Sequence, residues 1–245
     1  MIKLFRHIRQ SLIMKNQTGK YLKFAIGEII LVVIGILIAL QINNWNSERL
    51  LQAQEKLTLK ELHNEFVSNK MLLDTAVFYH KRSLKSVQWI SDRLPLNAKT
   101  INIDSLSFHL YHMGWTYTYD PYTGVTNNLL NNESLQLISN DSLRQLLVSW
   151  NDIVTDYQEE EMRAFNNYQN HLKPFEKKHF RFSFDHLDLL NNPKVDLAIL
   201  ETLEFDNYID DRYNDCNQIL NNVAGELELV YKTITQIINL TNIKD

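Results

Sequence analysis

The sequence contains few of the residues that interrupt helices or build common enzyme sites. Its 245 residues include six glycines, four prolines and one cysteine. Nucleotide-binding loops need glycines where the backbone approaches phosphate, and neither GxGxxG nor the P-loop pattern occurs; the GxSxG nucleophile elbow is also missing. These absences exclude the three motifs. With Cys216 alone, an intrachain disulfide is excluded as well.

Apolar sequence, in contrast, is concentrated near the N-terminus. Residues 24–42 read FAIGEIILVVIGILIALQI, and a helix of this length spans about 28 Å, close to the thickness of a bilayer's hydrocarbon core. The run is longer than the apolar core of most cleaved signal peptides, and it ends in Ala39-Leu40-Gln41 without a small residue at the cleavage position. We therefore predict an uncleaved transmembrane helix over residues 24–43.

The charge distribution predicts the topology. Residues 1–23 carry six Lys or Arg and no Asp or Glu, so this basic segment is expected on the cytoplasmic side. The remaining 222 residues carry 19 Lys or Arg against 29 Asp or Glu, a net charge of −10, which argues against nucleic acid as a partner. Within the basic segment, Ile2, Phe5, Ile8 and Leu12 have the spacing of one face of a helix. The segment is therefore either an amphipathic helix on the inner leaflet or a short disordered tail.

Three residues of the predicted membrane helix stand out. Glu28 is costly inside a bilayer, and two interpretations are open: a position near the interface, or an interhelical contact. Gly35 and Ala39 form a small-xxx-small pattern of the kind that packs membrane helices. A homodimer through this face is a possible consequence.

The exported part, residues 44–245, is predicted to be an antiparallel helical bundle. No glycine or proline occurs from Ile36 to Leu94, so helix is expected from the membrane segment outward to Pro95. Two forms are open: one continuous rod, or a restart with Asn46 or Ser47 as the N-cap. Rigid joining of the two segments would pass rotation or tilt inward. Apolar residues at helical spacing predict further helices from Asp104 to Met113, over residues 125–138, from the Asn140-Asp141 cap to Pro174, from Asn192-Pro193 to Leu203, and over residues 209–237.

The N-terminal fifty residues resemble a known family. FAIGEIILVVIGILIALQINNWN, after the basic stretch MIKLFRHIRQ, is similar to the signature of an uncharacterised family of membrane-anchored proteins from Bacteroidetes-type bacteria, a domain of unknown function. NNESLQLISNDSLRQLLVSW is similar to its middle segment, with Asn132-Glu133 where relatives often carry a glycine. The resemblance implies a bacterial inner-membrane protein with a helical periplasmic domain, and it brings no catalytic residues.

Few polar residues suggest catalytic chemistry, and each has a structural alternative. His109 and His112 have the spacing of two zinc ligands on one helix, but also that of histidines at the edge of a core. Cys216 falls on an apolar stripe and is interpreted as a buried hydrophobe. Glu176 and His179 form one Glu-x-x-His pair where a di-iron bundle needs two. Glu161 is either a polar core residue or, like Glu159 and Glu160, solvated.

The exported part has two unusual stretches. The loop from Gly114 to Gly124 contains four aromatic residues, which suit either recognition or plugging the end of a bundle: Trp115, Tyr117, Tyr119 and Tyr122. FEKKHFRFSF, residues 175–184, mixes four Phe with three cations and fits either an anionic partner or a packed turn.

The sequence thus predicts an all-α protein that is not an enzyme and carries no cofactor. We expect a single-pass, membrane-anchored interaction or sensory module whose partner is a membrane or envelope protein. The alternative is an envelope enzyme that binds a small ligand or a metal through residues 109–124.

Overall fold

The computed structural model describes residues 18–132, 134–182 and 188–243, and within them it is helical without strands. The predicted all-α class is confirmed. The chain divides into two units, residues 1–56 and residues 57–245. The amphipathic or disordered tail predicted within residues 1–17, Glu133 of the middle segment, and the end of FEKKHFRFSF at residues 183–184 lie outside the described residues.

Helix α1, Thr18–Ser91, provides all the described structure of the first unit. It is long and apolar enough to cross a membrane, and none of its most apolar window is buried against the protein. The absence of Gly and Pro after Gly35 explains the length of the helix. Common movement of the membrane segment and the exported segment stays a prediction.

The second unit contains residues 57–91 of α1 and six further α-helices in the described residues. These are α2 (Ile103–Met113), α3 (Gly124–Asn131), α4 (Asp141–Asn167), α5 (Lys173–His179), α6 (Leu203–Asn221) and α7 (Glu226–Thr241). A π turn, Tyr168–Leu172, joins α4 to α5, and 3₁₀ segments occupy Ser134–Leu137 and Leu197–Glu201.

Helices α1 and α4 run in the same direction, and α6 followed by α7 runs antiparallel to both. His80 contacts Glu161 at 2.7 Å, and fourteen residues earlier on α1 Phe66 packs on Trp150 with ring centroids 5.0 Å apart. His63, near the start of this segment, meets the Ile238 carbonyl at 3.3 Å, close to the end of α7. The predicted antiparallel packing is therefore found between α1 or α4 and the helices α6 and α7. Helices α1 and α4 are parallel to each other, because α2 brings the chain back before α4 begins.

Two apolar clusters form the core of this unit. One joins α1, α4 and α7 around Phe66, Trp150 and Ile234. The other joins the end of α1 to α2, α5 and α6 around Val87, Leu110 and Phe205. Burying a Leu, Ile or Phe side chain contributes about 1.5–3 kcal/mol, so these clusters stabilise the platform that carries the site.

The single final helix predicted over residues 209–237 is wrong, since two helices occupy it. The break lies at Asn222, whose side-chain oxygen accepts hydrogen bonds from the Gly225 N–H at 2.9 Å and the Glu226 N–H at 3.2 Å. Gly225 takes the left-handed conformation, with φ of 71° and ψ of 30°, which favours glycine. Apolar spacing continues through the break because α6 and α7 both pack along α4.

Other helix boundaries also differ from the sequence prediction. Asn102, not Asp104, caps α2, with its side chain accepting from the Ser105 N–H at 2.8 Å. The segment predicted as one helix over 125–138 is α3 followed by a 3₁₀ segment. The segment after Pro193 also ends in a 3₁₀ segment instead of an α-helix. The cap at Asn140 is confirmed, because its side chain accepts from the Leu143 N–H at 2.9 Å.

Candidate interaction site

Side chains of α4 form hydrogen bonds with the middle of the aromatic loop, which runs from Gly114 to Gly124. The buried Glu161 carboxylate accepts the Tyr119 N–H at 2.8 Å, and its other oxygen lies 2.7 Å from His80 Nε2. Gln158 donates to the Tyr119 carbonyl at 2.7 Å. Both backbone polar groups of Tyr119 are therefore satisfied by α4 side chains, which fixes the middle of the loop.

Helix α1 holds the second half of the same loop. Asn69 is fully buried and makes two hydrogen bonds to Tyr122, donating to its carbonyl at 2.8 Å and accepting its N–H at 2.7 Å. One turn earlier, Glu65 accepts the N–H groups of Val125 at 2.7 Å and Thr126 at 3.1 Å. A carboxylate at these first amides of α3 satisfies groups that the helix itself leaves unpaired. The loop ends are thus anchored on buried polar side chains.

Above these anchors, aromatic rings from the loop stack on α1. Tyr79 packs parallel to Trp115 at 5.3 Å and parallel to Tyr117 at 5.1 Å. The guanidinium of Arg82 lies 5.8 Å from the centre of the Trp115 ring, within cation–π range. Phe78 meets the edge of Tyr79 at 5.4 Å. We call Phe78, Tyr79, Arg82, Trp115 and Tyr117 the aromatic face.

The aromatic face is open to solvent at its rim. Phe78 is 60% exposed and Tyr117 is 37% exposed, while Tyr79, Arg82 and Trp115 are half-buried. On the same side of α1, Met71 is 65% exposed. Large apolar side chains that are exposed next to a fixed loop form the kind of surface that partners bury.

The four loop aromatics proposed for binding take three different positions. Trp115 and Tyr117 share the stack with Tyr79. Tyr119 is fully buried, and burial next to Glu161 raises its pKa. Tyr122 is 61% exposed but is held at Asn69, ten residues or about 15 Å along α1 from Tyr79.

Sequence reasoning missed the contribution of α1 to this site. Phe78, Tyr79 and Arg82 lie more than thirty residues before the loop that they contact. The only local signal was that Phe78 and Arg82, four residues apart, fall outside the apolar stripe of α1.

Arg212 fixes the first part of the loop from α6. It is buried, and it donates to the carbonyls of Met113 at 2.8 Å and Trp115 at 3.1 Å. Its guanidinium also lies 5.0 Å from the centre of the Tyr168 ring. Among the described residues no carboxylate lies within 4 Å of it, so carbonyl oxygens and one ring accommodate this charge.

The π turn between α4 and α5 places Tyr168 beneath Gly114. Pro174 lacks the N–H that an α-helix needs. The π turn before it accommodates this missing donor, and in that turn the Lys173 N–H donates to the Tyr168 carbonyl. A Cβ on Gly114 would lie 2.5 Å from the Tyr168 hydroxyl oxygen. Glycine is required at position 114 because the Tyr168 hydroxyl approaches so closely. Pro174 changes the backbone hydrogen-bond pattern locally but does not end the helical segment.

Glu176 completes this buried group. It accepts a hydrogen bond from the Tyr168 hydroxyl at 3.0 Å, and burial raises its pKa to about 8 despite that bond and the nearby Arg212 charge. His179, its partner in the Glu-x-x-His pair, packs on Phe175 at 4.7 Å.

The two histidines of α2 are committed to separate contacts. The guanidinium of Arg82 contacts His112 Nε2, and His112 Nδ1 lies 2.7 Å from the Phe108 carbonyl. Because guanidinium only donates, Nε2 accepts and Nδ1 carries the proton. His109 stacks on Trp89 at 4.3 Å, and burial lowers its pKa to about 4. Within the described residues, no three His, Cys, Asp or Glu residues are placed to hold a metal.

The remaining residues with possible chemistry lie in the core. Cys216 is 2% exposed and its sulfur lies 3.4 Å from the Ser83 hydroxyl, as expected for a buried small side chain. Glu161 is 2% exposed, and its two oxygens contact the Tyr119 N–H and His80 Nε2, so it is a polar core residue and the expected solvated face is wrong for it. Glu159, two residues earlier, is exposed.

On the membrane segment, the residues predicted to pack helices lie at the surface of α1. Gly35 and Ala39 are exposed, and nothing lies within 4 Å of a Cβ placed on Gly35. Glu28 is half-buried and lies beside a shallow groove with Ala25 and Val32. Their role in dimer formation stays a prediction.

Comparison with known proteins agrees with the resemblance to a family without an assigned role. A model described as a family of unknown function, DUF6090, matches residues 28–153. The match includes most of α1, the whole aromatic loop and the first half of α4. No curated protein and no solved structure matches the chain. Because the matched residues are more than half of the sequence, the chain belongs to this family of unknown function.

Proposed function

We propose that this protein is a bacterial inner-membrane protein that binds an envelope or membrane protein through the aromatic face and has no catalytic activity. In this proposal residues 24–43 of α1 cross the bilayer, the basic N-terminal segment lies in the cytoplasm, and the second unit lies in the periplasm. The basic residues before the apolar run support this orientation.

The observation that carries the proposal is that buried polar side chains hold the aromatic loop in one conformation. Glu65, Asn69, Glu161 and Arg212 are all buried, and each makes at least one hydrogen bond to the backbone of the aromatic loop or of a helix that adjoins it. Burying polar and charged groups opposes folding unless they are well paired. Such groups are expected where one loop conformation is needed, since a preformed surface loses less entropy on binding.

The composition of the aromatic face favours a protein partner. Trp, Tyr and Arg are the residues that contribute most often to binding energy at protein interfaces. Phe78 and Tyr117 supply exposed apolar area, and Arg82 supplies a charge whose contacts with a ring and with His112 hold it in place.

The test is chemical crosslinking followed by affinity capture from native membranes. We compare the wild type with Phe78→Ser/Tyr117→Ser, two changes at the exposed rim of the aromatic face. The control is Val148→Ser/Met162→Ser, which removes two apolar side chains that are 56% and 49% exposed on α4. A partner that is lost only from the aromatic-face variant supports the proposal. An identical set of captured proteins from all three forms contradicts it.

A further inference from the structure

A basic concavity lies in the second unit, away from the aromatic face, between residues 178–181 and residues 192–195. Its volume is about 520 Å³, within the range of pockets that hold small molecules. Three cations and a histidine contribute to its walls, which are formed by Lys178, His179, Phe180, Arg181, Asn192, Lys194 and Val195.

The charge of this concavity opposes that of its surroundings. Residues 57–245 carry 17 Lys or Arg against 26 Asp or Glu, a net charge of −9. Among the described residues, no carboxylate lies within 4 Å of Lys178, Arg181 or Lys194. Lys178 lies in the last turn of α5, where a cation stabilises the helix. That explanation does not apply to Arg181 and Lys194, which lie outside any α-helix.

The backbone that carries these cations is held in place. Phe180 is buried, and its N–H donates to the Glu176 carbonyl at 2.7 Å. The Arg181 N–H donates to the Leu189 carbonyl at 3.0 Å. On the other wall, the Lys194 N–H donates to the Asn192 side chain at 3.0 Å. The three cations therefore belong to two anchored segments that line the same space.

We propose that this concavity binds a ligand with a phosphate group. The planar guanidinium of Arg181 matches two phosphate oxygens at once, and Lys178 and Lys194 add point charges that suit a group with two or more negative charges. The same chemistry is offered by a free phosphate ester and by the headgroup of an anionic lipid. This site is independent of the aromatic face, so either proposal is able to fail alone.

The first experiment uses pyrophosphate and the full chain in nanodiscs of phosphatidylcholine, with binding measured by titration calorimetry. We expect saturable binding that weakens as salt rises. Arg181→Gln/Lys194→Gln should weaken binding about tenfold or more, because two charge-assisted contacts are lost. The control Lys60→Gln/Lys232→Gln removes two exposed cations elsewhere and should leave the affinity unchanged. Arg181→Lys should give an intermediate affinity, since it keeps the charge and loses the fork.

A second experiment separates the two sources of phosphate. The nanodisc-embedded protein is mixed with vesicles of phosphatidylcholine alone or with added phosphatidic acid, and co-flotation is measured. If the protein floats only with vesicles that contain phosphatidic acid, and the double variant at Arg181 and Lys194 does not float, the ligand is a lipid headgroup. If the protein binds pyrophosphate but does not float with either vesicle type, the ligand is a free phosphate ester. The proposal is overturned if pyrophosphate and both vesicle types fail to bind, or if the double variant binds like the control. Circular dichroism of each variant confirms that the helical content is retained.

Discussion

Replacing Glu161 with alanine should destabilise the second unit strongly, because this carboxylate is buried and hydrogen-bonded. The Glu161 carboxylate is 2% exposed and serves two groups from different parts of the chain. One oxygen accepts the Tyr119 N–H at 2.8 Å, and the other lies 2.7 Å from His80 Nε2. Alanine removes both contacts and leaves a space that the packed core cannot fill without moving.

The magnitude follows from the two groups that lose their partner. A buried donor left without an acceptor costs about 1–3 kcal/mol, and both the Tyr119 N–H and the His80 ring are in this position. We therefore expect the free energy of unfolding to fall by about 2–6 kcal/mol, the sum of the two losses. Glu161→Gln retains an acceptor oxygen and should lose less. Glu159→Ala, at an exposed position on the same helix, should change stability by about 0.5 kcal/mol or less.

The assay is urea unfolding of the full chain in detergent, followed by tryptophan fluorescence. Trp150 is fully buried beside Phe66, and Trp115 stacks on Tyr79. With Trp89, three of the four tryptophans lie in the second unit, so most of the signal reports on it. If Glu161→Ala lowers the free energy of unfolding no more than Glu159→Ala does, the reasoning is refuted, because the Glu161 carboxylate would then not stabilise the loop.

Three further predictions concern the same region. Asn69→Ala should lose about 1–3 kcal/mol and raise amide hydrogen exchange in residues 115–123, while Asn64→Ala at an exposed site should do neither. Gly114→Ala places a Cβ 2.5 Å from the Tyr168 hydroxyl and should lower the unfolding midpoint by an amount equivalent to about 1–3 kcal/mol, part of which Tyr168→Phe should restore. The pKa of Glu176 is raised by burial to about 8, so the folded state binds more protons between pH 4.5 and that value. Stability from this group is complete below about pH 4.5 and is lost as pH rises toward about 8, by at most about 1.4 kcal/mol per pH unit. Glu176→Gln should remove this slope, as measured by urea unfolding across that range.

The fold could be predicted where the signal is local. Apolar residues at helical spacing and the lack of Gly and Pro correctly indicated helices, and Asn140 marked the start of α4. The break between α6 and α7 was missed because the same face stays apolar on both sides of it. Asn222 and Gly225 are the residues in that stretch whose chemistry favours a break: Asn222 accepts the N–H groups of Gly225 and Glu226, and Gly225 takes the left-handed conformation.

The candidate site could be predicted only in part, because it is assembled over long distances in sequence. The aromatic content of the loop is visible in the sequence, and Trp115 and Tyr117 lie in the stack. The direction of Tyr119 depends on Glu161, 42 residues later, and nothing local indicates that pairing. Arg212, whose contacts with the loop span about a hundred residues, is equally invisible to periodicity.

The most direct test of the central claim, that the aromatic face binds a protein partner, is site-specific photo-crosslinking in intact cells. A photoreactive amino acid is introduced at position 117, on the aromatic face, and separately at position 148, an exposed site on α4. We predict a discrete crosslinked product from position 117 that is absent from position 148 and disappears when Phe78→Ser is added. No product at position 117, or the same products at both positions, would contradict the account.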